Sequence, residues 1–498
     1  MEGRCLAIAN ELKEYKNLIK GEKVGASSGN TMESIDPATG KAWAKIPLST
    51  IEDVETAVAS AREAFPGWSK LAARERGNYL RRVGDLIQKH ANELAMLETR
   101  GNGWVIRETS YGLIPILASY WYDAAGAASL VGSLGKTVQM GQRSFGYTLR
   151  EPIGVVVGIL PWNAPLFTFT IKAAYALAAG NTVIIKPSEH ASVSSLRYAE
   201  LLAEILPPGV INVISGLGTE IGDSLVSHKK ISKVSLTGSI GTARAITRAT
   251  AQTPKPLVFE LGGKSPNIVF ADADLDKAVD GVTTNAIFTG NSGQICVAGS
   301  RILIQRPIFE EMVTRMKEKM SSMDTVKFGS TLDPTTTMGP VSNLQQFKKV
   351  CSFIDLGLKE GELIFGGRYG GNVLLPEQLE FSGGYWVEPT LFKVNNNSLR
   401  LCQEEIFGPV AVVMPFDTEE EALAIANDTG YGLGAGVWTS DIAKAHRMVR
   451  SIESGNVWVN TYRMVGVDLP FGGVKESGYG TDSILDYTIE KTCVIDIG

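Results

Sequence analysis

Two residues stand where their neighbours could give them chemistry. Cys296 sits in FTGNSGQICVAGSR, residues 288–301, among glycine, asparagine, serine and glutamine, with no histidine or second cysteine close by. A cysteine so placed is either inert packing or a reactive thiol. The polar, glycine-rich surroundings favour the thiol, because backbone N–H groups can approach a thiolate and stabilise it. Glu260, in FELGGKSPNIVF, ends an apolar run beside two glycines. A carboxyl there is partly desolvated, so its pKa rises toward the range of a general base; the plain alternative is a turn or helix cap. The histidines are His90, His190, His228 and His446, and three of them fall in helical or charged stretches. A Cys–His dyad has little support, and no Cys/His spacing reads as a zinc site.

These residues need a scaffold, and the chain is long enough for several domains. It has 498 residues, of which 44% are hydrophobic and 20% charged, with a formal net charge of -5. That composition suits a large globular core and offers no basic groove for nucleic acid. The longest apolar run, GVVVGILPW, is too short to cross a bilayer, and the charged N-terminus has no continuous apolar segment of a signal peptide. Five scattered cysteines argue against a disulfide framework and for a reducing compartment, so a cytoplasmic location is expected.

From Ile51 to His90 the apolar residues recur at helical spacing, with Thr50 as N-cap and Asp53 at the third helical position. After Arg150 the pattern changes. IGVVVGILP, NTVIIKP, INVISG and ISKVSLTGS are short β-branched runs ending at proline or glycine. SVSSLRYAELLAEIL between them reads as a helix capped by Ser192. Strand–helix–strand alternation predicts a parallel sheet covered by helices. A second α/β block runs from PNIVF through RILIQ to VWVN, and the tail KTCVIDIG reads as a strand.

Ligands of parallel sheets bind at the carboxyl ends of the strands. PWNAP (Pro161–Pro165) and KPSEH (Lys186–His190) stand there, which makes Asn163, Lys186 and Glu189 candidates; ordinary loop residues are the equal alternative. LTGSIGTAR (Leu236–Arg244) predicts a strand, a turn and a helix start able to meet a phosphate, a weak signal alone. GSLGKT is not a P-loop, because its first glycine would have to be Leu130.

In order along the chain, PWNAP, KPSE, LTGS, FELGGKSPNIV, GQICVAGSR, EEIFGPV and PFGGVKESGYG together resemble the aldehyde dehydrogenase superfamily, of the hydrolytic, non-phosphorylating kind, over nearly the whole sequence. The resemblance implies an α/β fold with a Rossmann-like NAD-binding domain (1-132 and 152-262), an α/β catalytic domain (263-476) and a small β oligomerisation element (133-151 and 477-498). It implies Cys296 as nucleophile, Asn163 as side-chain donor to the oxyanion, Glu260 as the base that activates water, and Lys172 as an aid to proton traffic. Lys172 usually faces the glutamate of a GRE triplet. Here the triplet is GTD, with Asp482 in that place.

For the cofactor the resemblance implies NAD, held by Leu160, Pro161, Trp162, Lys186, Ser188, Glu189, Gly218, Gly238, Ser239, Leu261, Gly262, Gln346, Lys349, Glu405 and Phe407. Glu189 suits a free 2′-hydroxyl, while Lys186 leaves room for NADP. The substrate tunnel maps to Ala164, Phe167, Ile171, Gly290, Ile295, Val297, Arg463 and Val465. Several of these are small, which implies a roomy entrance. Arg463 suits a carboxylate or other anionic or strongly polar group on the substrate, or else an ion pair with Asp468. The expected activity is NAD-dependent oxidation of a small-molecule aldehyde to its acid. CoA-dependent acylation and a non-catalytic structural relative are the alternatives. A homodimer or homotetramer is expected, with neither membrane nor nucleic acid as partner.

Overall fold

The computed structural model describes residues 12–498, so Cys5 and the first part of the N-terminal stretch lie outside the described residues. Two large sheets dominate. The first has eight strands, in the order Gly478–Tyr479, Leu257–Glu260, Lys233–Thr237, Val155–Ile159, Thr182–Lys186, Ile211–Val213, Asn17–Ile19 and Glu22–Val24. The five from Leu257–Glu260 to Ile211–Val213 run parallel. The runs ending at proline or glycine form this parallel core because both their faces are buried, which rewards continuous β-branched sequence. Chain order reverses between Val155–Ile159 and Lys233–Thr237, and a crevice opens at the carboxyl ends of strands at such a switch point.

The second sheet has seven strands, in the order Glu362–Phe365, Thr390–Lys393, Val410–Phe416, Arg301–Gln305, Pro266–Val269, Gly434–Trp438 and Asn456–Val459. All but the Glu362–Phe365 edge run parallel. The chain passes directly from one sheet to the other. Glu260 ends its strand in the first, and after the short Leu261–Ser265 link Pro266 begins its strand in the second. The carboxyl end of one strand thus faces the amino end of the other, and the crevice lies between.

Helices cover both sheets. Ile51–Ser69 begins with a full capping box: Thr50 accepts through its side chain and Asp53 returns a bond to the Thr50 N–H. Helix Pro165–Ala178 is almost wholly buried. Ser192 occupies the N-cap position of Val193–Ala203, but its side chain makes no capping bond. It donates to the Ser188 carbonyl instead, at 2.8 Å, because the preceding Glu189–Ala191 turn brings that acceptor within reach.

A smaller sheet joins distant parts of the chain. Thr488–Asp496 pairs antiparallel with Ser144–Pro152, which also pairs with Thr137–Gln139. The strand-like tail therefore finds its partner within its own chain. No helix among the described residues is long and apolar enough to cross a membrane.

Candidate active site

A cavity of about 1510 Å³ opens between the two large sheets, larger than the ~300–1,000 Å³ usual for small-molecule sites. Cys296, Glu260, Asn163 and Lys172 all line it. So do Ala164, Phe167, Ile171, Gly290, Ile295, Val297, Arg463 and Val465, and, toward the first sheet, Pro161, Gly238, Leu261, Gly262, Glu405 and Phe407.

Cys296 lies on the loop between helix Leu275–Val282 and strand Arg301–Gln305. The loop ends at Arg301, wholly buried, whose guanidinium donates to the carbonyls of Lys264, Ile425 and Ala426 and to Asn397 Oδ1. Burial pushes the Cys296 thiol up to about 12, with Glu260 and Glu405 adding to the rise. The backbone N–H groups of Val297 and Cys296 itself lower it, as the glycine-rich sequence led one to expect, but burial outweighs them.

Asn163 follows strand Val155–Ile159 and precedes helix Pro165–Ala178. Its main-chain oxygen accepts from Asn102 Nδ2 at 3.2 Å and Asn291 Nδ2 at 3.3 Å, and its side-chain amide donates to the Gln294 carbonyl at 2.8 Å. The amide is thereby held against the loop that carries Cys296.

Glu260 is buried, and neither carboxyl oxygen has a hydrogen-bond partner among the described residues. Burial raises its pKa to about 9; Asp482 adds to the rise and Lys172 opposes it. Lys172, 1% exposed, donates to Asp482 Oδ2 at 2.8 Å and to Ser235 Oγ at 2.7 Å. The shorter aspartate of GTD reaches the lysine directly.

Of the residues expected to hold a dinucleotide, Leu160, Pro161 and Trp162 follow strand Val155–Ile159 and Lys186, Ser188 and Glu189 stand at the end of strand Thr182–Lys186, while Gln346 and Lys349 lie on helix Leu344–Glu360. Lys186 is buried, 3.5 Å from Glu189 Oε2, and donates to the Pro187 carbonyl at 3.2 Å. Ser188 caps the Glu189–Ala191 turn, and the Leu160 N–H bonds the Lys186 carbonyl at 3.0 Å. Gly218 is the first residue of helix Gly218–Ser227, and Ser239 caps helix Ile240–Thr250 by accepting from the Thr242 N–H. Gln346 Nε2 donates to the carbonyls of Ile406 and Phe407, at 2.7 and 2.9 Å. The Lys349 pKa is lowered by burial, with Glu405 acting against the shift. Trp162 stacks edge-on against Phe407. Glu405 Oε1 accepts from the Gly263 N–H at 3.0 Å, and a Cβ on Gly262 would lie 2.1 Å from that oxygen, so only glycine leaves the space open.

Arg463 is half-buried in the cavity wall at φ +58°, the left-handed region that side-chain-bearing residues seldom adopt. Among the described residues its guanidinium forms no ion pair and no hydrogen bond, so the pairing with Asp468 is not made. Burial lowers its pKa, and Glu108 is the acid that opposes this most. Glu108 itself accepts from the Gly290 N–H at 2.9 Å and from Trp104 Nε1 at 2.6 Å. Sequence reasoning missed Glu108, Trp104, Ser235 and Tyr487. No local pattern marks them, because only the fold brings them to the site.

A switch-point crevice with Glu260 at the end of a strand of the first sheet, and Cys296 on the loop that leads into the second, defines a two-sheet α/β protein with a thiol and a buried carboxyl in one cavity. The comparisons agree. The family model for the aldehyde dehydrogenase family matches residues 24–496. Acetaldehyde dehydrogenase 2 of Cupriavidus necator is 41% identical over 486 residues, covering 96% of this chain and 93% of its own. The structure of HpcC from Thermus thermophilus superposes with a TM-score of 0.93 at 39% identity, covering 98% of this chain and 94% of its own. PnpE from Pseudomonas sp. WBC-3 gives 0.92 at 38% identity over 97% and 98%. PnpE has also been crystallised with nicotinamide adenine dinucleotide. The chain belongs to the aldehyde dehydrogenase family.

Proposed function

We propose that the protein oxidises an aldehyde to the carboxylic acid with NAD, through a covalent adduct on Cys296. The observation that carries this reading is that Cys296, Asn163 and Glu260 line one cavity at a switch-point crevice. The crevice suits a dinucleotide. Helices Gly218–Ser227 and Ile240–Thr250 begin at its edge, with N-terminal N–H groups suited to a pyrophosphate, and no atom lies within 4 Å of a Cβ built on Gly218. Lys186, Ser188 and Glu189 would take the adenosine ribose. Leu160, Pro161 and Trp162 would line the path, with Gly238 and Ser239 at the pyrophosphate. Gln346, Lys349, Glu405 and Phe407 would flank the nicotinamide ribose, and Leu261 and Gly262 the ring. Bound NAD supplies the hydride acceptor.

The chain's own residues do the rest. The Cys296 sulfur adds to the carbonyl carbon while its proton passes to water in the cavity, leaving a tetrahedral alkoxide. The Asn163 amide and the Cys296 N–H donate to that oxygen. Loss of hydride turns the adduct into a thioester. Glu260 then removes a proton from water, the hydroxide adds to the acyl carbon, and the C–S bond breaks to give the acid and the thiol. Retention of Glu260 favours water over CoA as the acyl acceptor. Glu189 favours NAD over NADP, and a kcat/KM higher with NADP would overturn that preference.

The reading extends to a substrate with an anionic or strongly polar group, because Arg463 is an unpaired cation in the wall lined by Phe167, Ile171, Ile295, Val297 and Val465. The domain division at 132/133, 151/152, 262/263 and 476/477 follows the same reading. So does assembly of two or four copies: the small sheet exposes Val138, Leu149, Ile489 and Val494, with two free edges. The unpaired Cys296, Cys351, Cys402 and Cys493 suit a reducing, cytoplasmic location.

The test is NADH formation from a panel of aliphatic, aromatic and carboxylated aldehydes, with and without CoA. Wild type should release acid, and Cys296→Ala should form no NADH. Acyl-CoA as the product, or NADH that survives Cys296→Ala, would overturn the mechanism. Arg463→Ala should lose far more kcat/KM on a semialdehyde than on a neutral aldehyde of equal length; equal losses would discard the anionic substrate.

A further inference from the structure

Behind Glu260 lies a buried cluster in which two hydroxyls have no part in the reaction above. Asp482 shares its two oxygens unequally. Oδ2 takes the Lys172 ammonium, while Oδ1 accepts from Ser235 Oγ at 2.7 Å and from Tyr487 Oη at 2.5 Å. Tyr487 is wholly buried and held on other sides too. Asn181 Nδ2 donates to its carbonyl at 2.8 Å, and Lys233 Nζ sits 4.7 Å from its ring centroid while donating to the Asp486 carbonyl. Its phenol is pushed well above its ordinary pKa by burial and by Asp482, so it stays protonated and serves as a donor. Glu260 and Asp482 line the same cavity, and Gly478, shortly before Asp482, pairs with Glu260 across the sheet.

We propose that Tyr487 is a positioning residue for thioester hydrolysis: its hydroxyl pins one oxygen of Asp482, keeps the other on Lys172, and screens the Asp482 charge that Glu260 faces. This rests on Glu260 and Lys172 serving the hydrolysis proposed above. An aspartate is one methylene shorter than the glutamate of the GRE triplet and reaches less far. Here Ser235 and Tyr487 grip it from behind. The titratable groups around Glu260 are Lys172 on helix Pro165–Ala178, the Cys296 thiol on its loop, and Asp482 on the C-terminal segment; Lys233 and Asp486 stand behind them. Asp482 disfavours the ionised Glu260 and Lys172 favours it. A hydroxyl whose proton points at Asp482 weakens the first effect.

The experiment separates acylation from hydrolysis by following the NADH burst and the decay of acyl-enzyme between pH 6 and 10. In Tyr487→Phe the burst should be unchanged, and hydrolysis at neutral pH should fall by about tenfold, the factor expected for one hydrogen bond to a charged group. The pH midpoint of hydrolysis should move upward, because the Asp482 charge is less screened. Asp482→Asn should move it downward. With 3-fluorotyrosine at position 487, a stronger donor of nearly the same shape, the midpoint should also move downward; this carries the test if Tyr487→Phe does not fold. Equal loss of burst and hydrolysis with an unmoved midpoint would reduce Tyr487 to packing and overturn the proposal, as would wild-type behaviour. Glu260→Gln keeps the two ideas apart: if it hydrolyses acyl-enzyme at the wild-type rate, the general-base reading itself has failed.

Discussion

The indole of Trp162 meets the ring of Phe407 edge-on, with centroids 5.2 Å apart and planes at 89°. Trp162 follows a strand of the first sheet and Phe407 precedes one of the second, so the contact ties the two walls of the crevice together. Phe407 holds this position at φ +59°, a conformation that costs free energy and is offset by packing around it. Phe407→Ala should cost about 1 kcal/mol of aromatic contact beyond the buried area. With the ring wall gone, the NADH burst rate should fall by roughly fivefold, the same free energy expressed as a rate. Stopped-flow fluorescence checks this, and a faster burst would contradict it.

Glu260 makes stability depend on pH. Its folded pKa of about 9 lies above the ordinary 4.5, so the folded protein binds the extra proton between those values. Its contribution is fully present below pH 4.5 and is lost as pH rises through 9. Glu260→Gln should therefore flatten the fall in melting temperature between pH 6 and 9 and be the more stable form at the alkaline end. Thermal melts across that range decide it. The same shift predicts that hydrolysis quickens up to about pH 9 in the wild type.

Gly262→Ala puts a methyl group where Glu405 Oε1 now lies. Glu405 must move and give up the Gly263 N–H, a charge-assisted bond. The KM for NAD should rise by roughly tenfold, as for loss of one such contact. Glu405→Ala should give a similar rise, and the double variant little more than either, because both changes remove one interaction. Initial-rate kinetics on the three variants provide the cycle.

Arg301→Lys should be costly although charge is conserved. The guanidinium serves four acceptors in different directions, and an ammonium on a flexible stem cannot reach them all. A loss of about 3 kcal/mol in urea denaturation is expected, typical of breaking a buried charged network. Activity should fall with it, since the Cys296 loop ends at this residue.

Much of this was legible in the sequence. The four short β-branched runs became parallel strands, because continuous apolar sequence ending at proline or glycine has few other solutions. Thr50 and Asp53 formed the capping box they spelled out. Asn163, Glu260 and Cys296 were legible as chemistry-bearing residues at strand ends and on a polar loop, and they share one cavity. What escaped depends on packing between distant segments. The Cys296 surroundings look polar in sequence, yet burial raises its thiol pKa more than the neighbouring N–H groups lower it. Ser192 looks like a cap until a turn offers it another acceptor. Tyr487 and Glu108 carry no local signature at all: each is defined by a partner supplied by the fold, at Asp482's buried oxygen or at the Gly290 amide.

The Leu261–Ser265 link has a bearing on how this protein could be altered. It follows Glu260 directly and packs against the Cys296 loop: a Cβ on Gly263 would lie 2.6 Å from the Cys296 carbonyl oxygen. A joint so short and so closely fitted gives the two halves no slack to spread for a bulkier guest. New tastes in substrate must therefore come from resculpting the outer walls around Trp104, Tyr111 and Val465, while the seam itself is left alone.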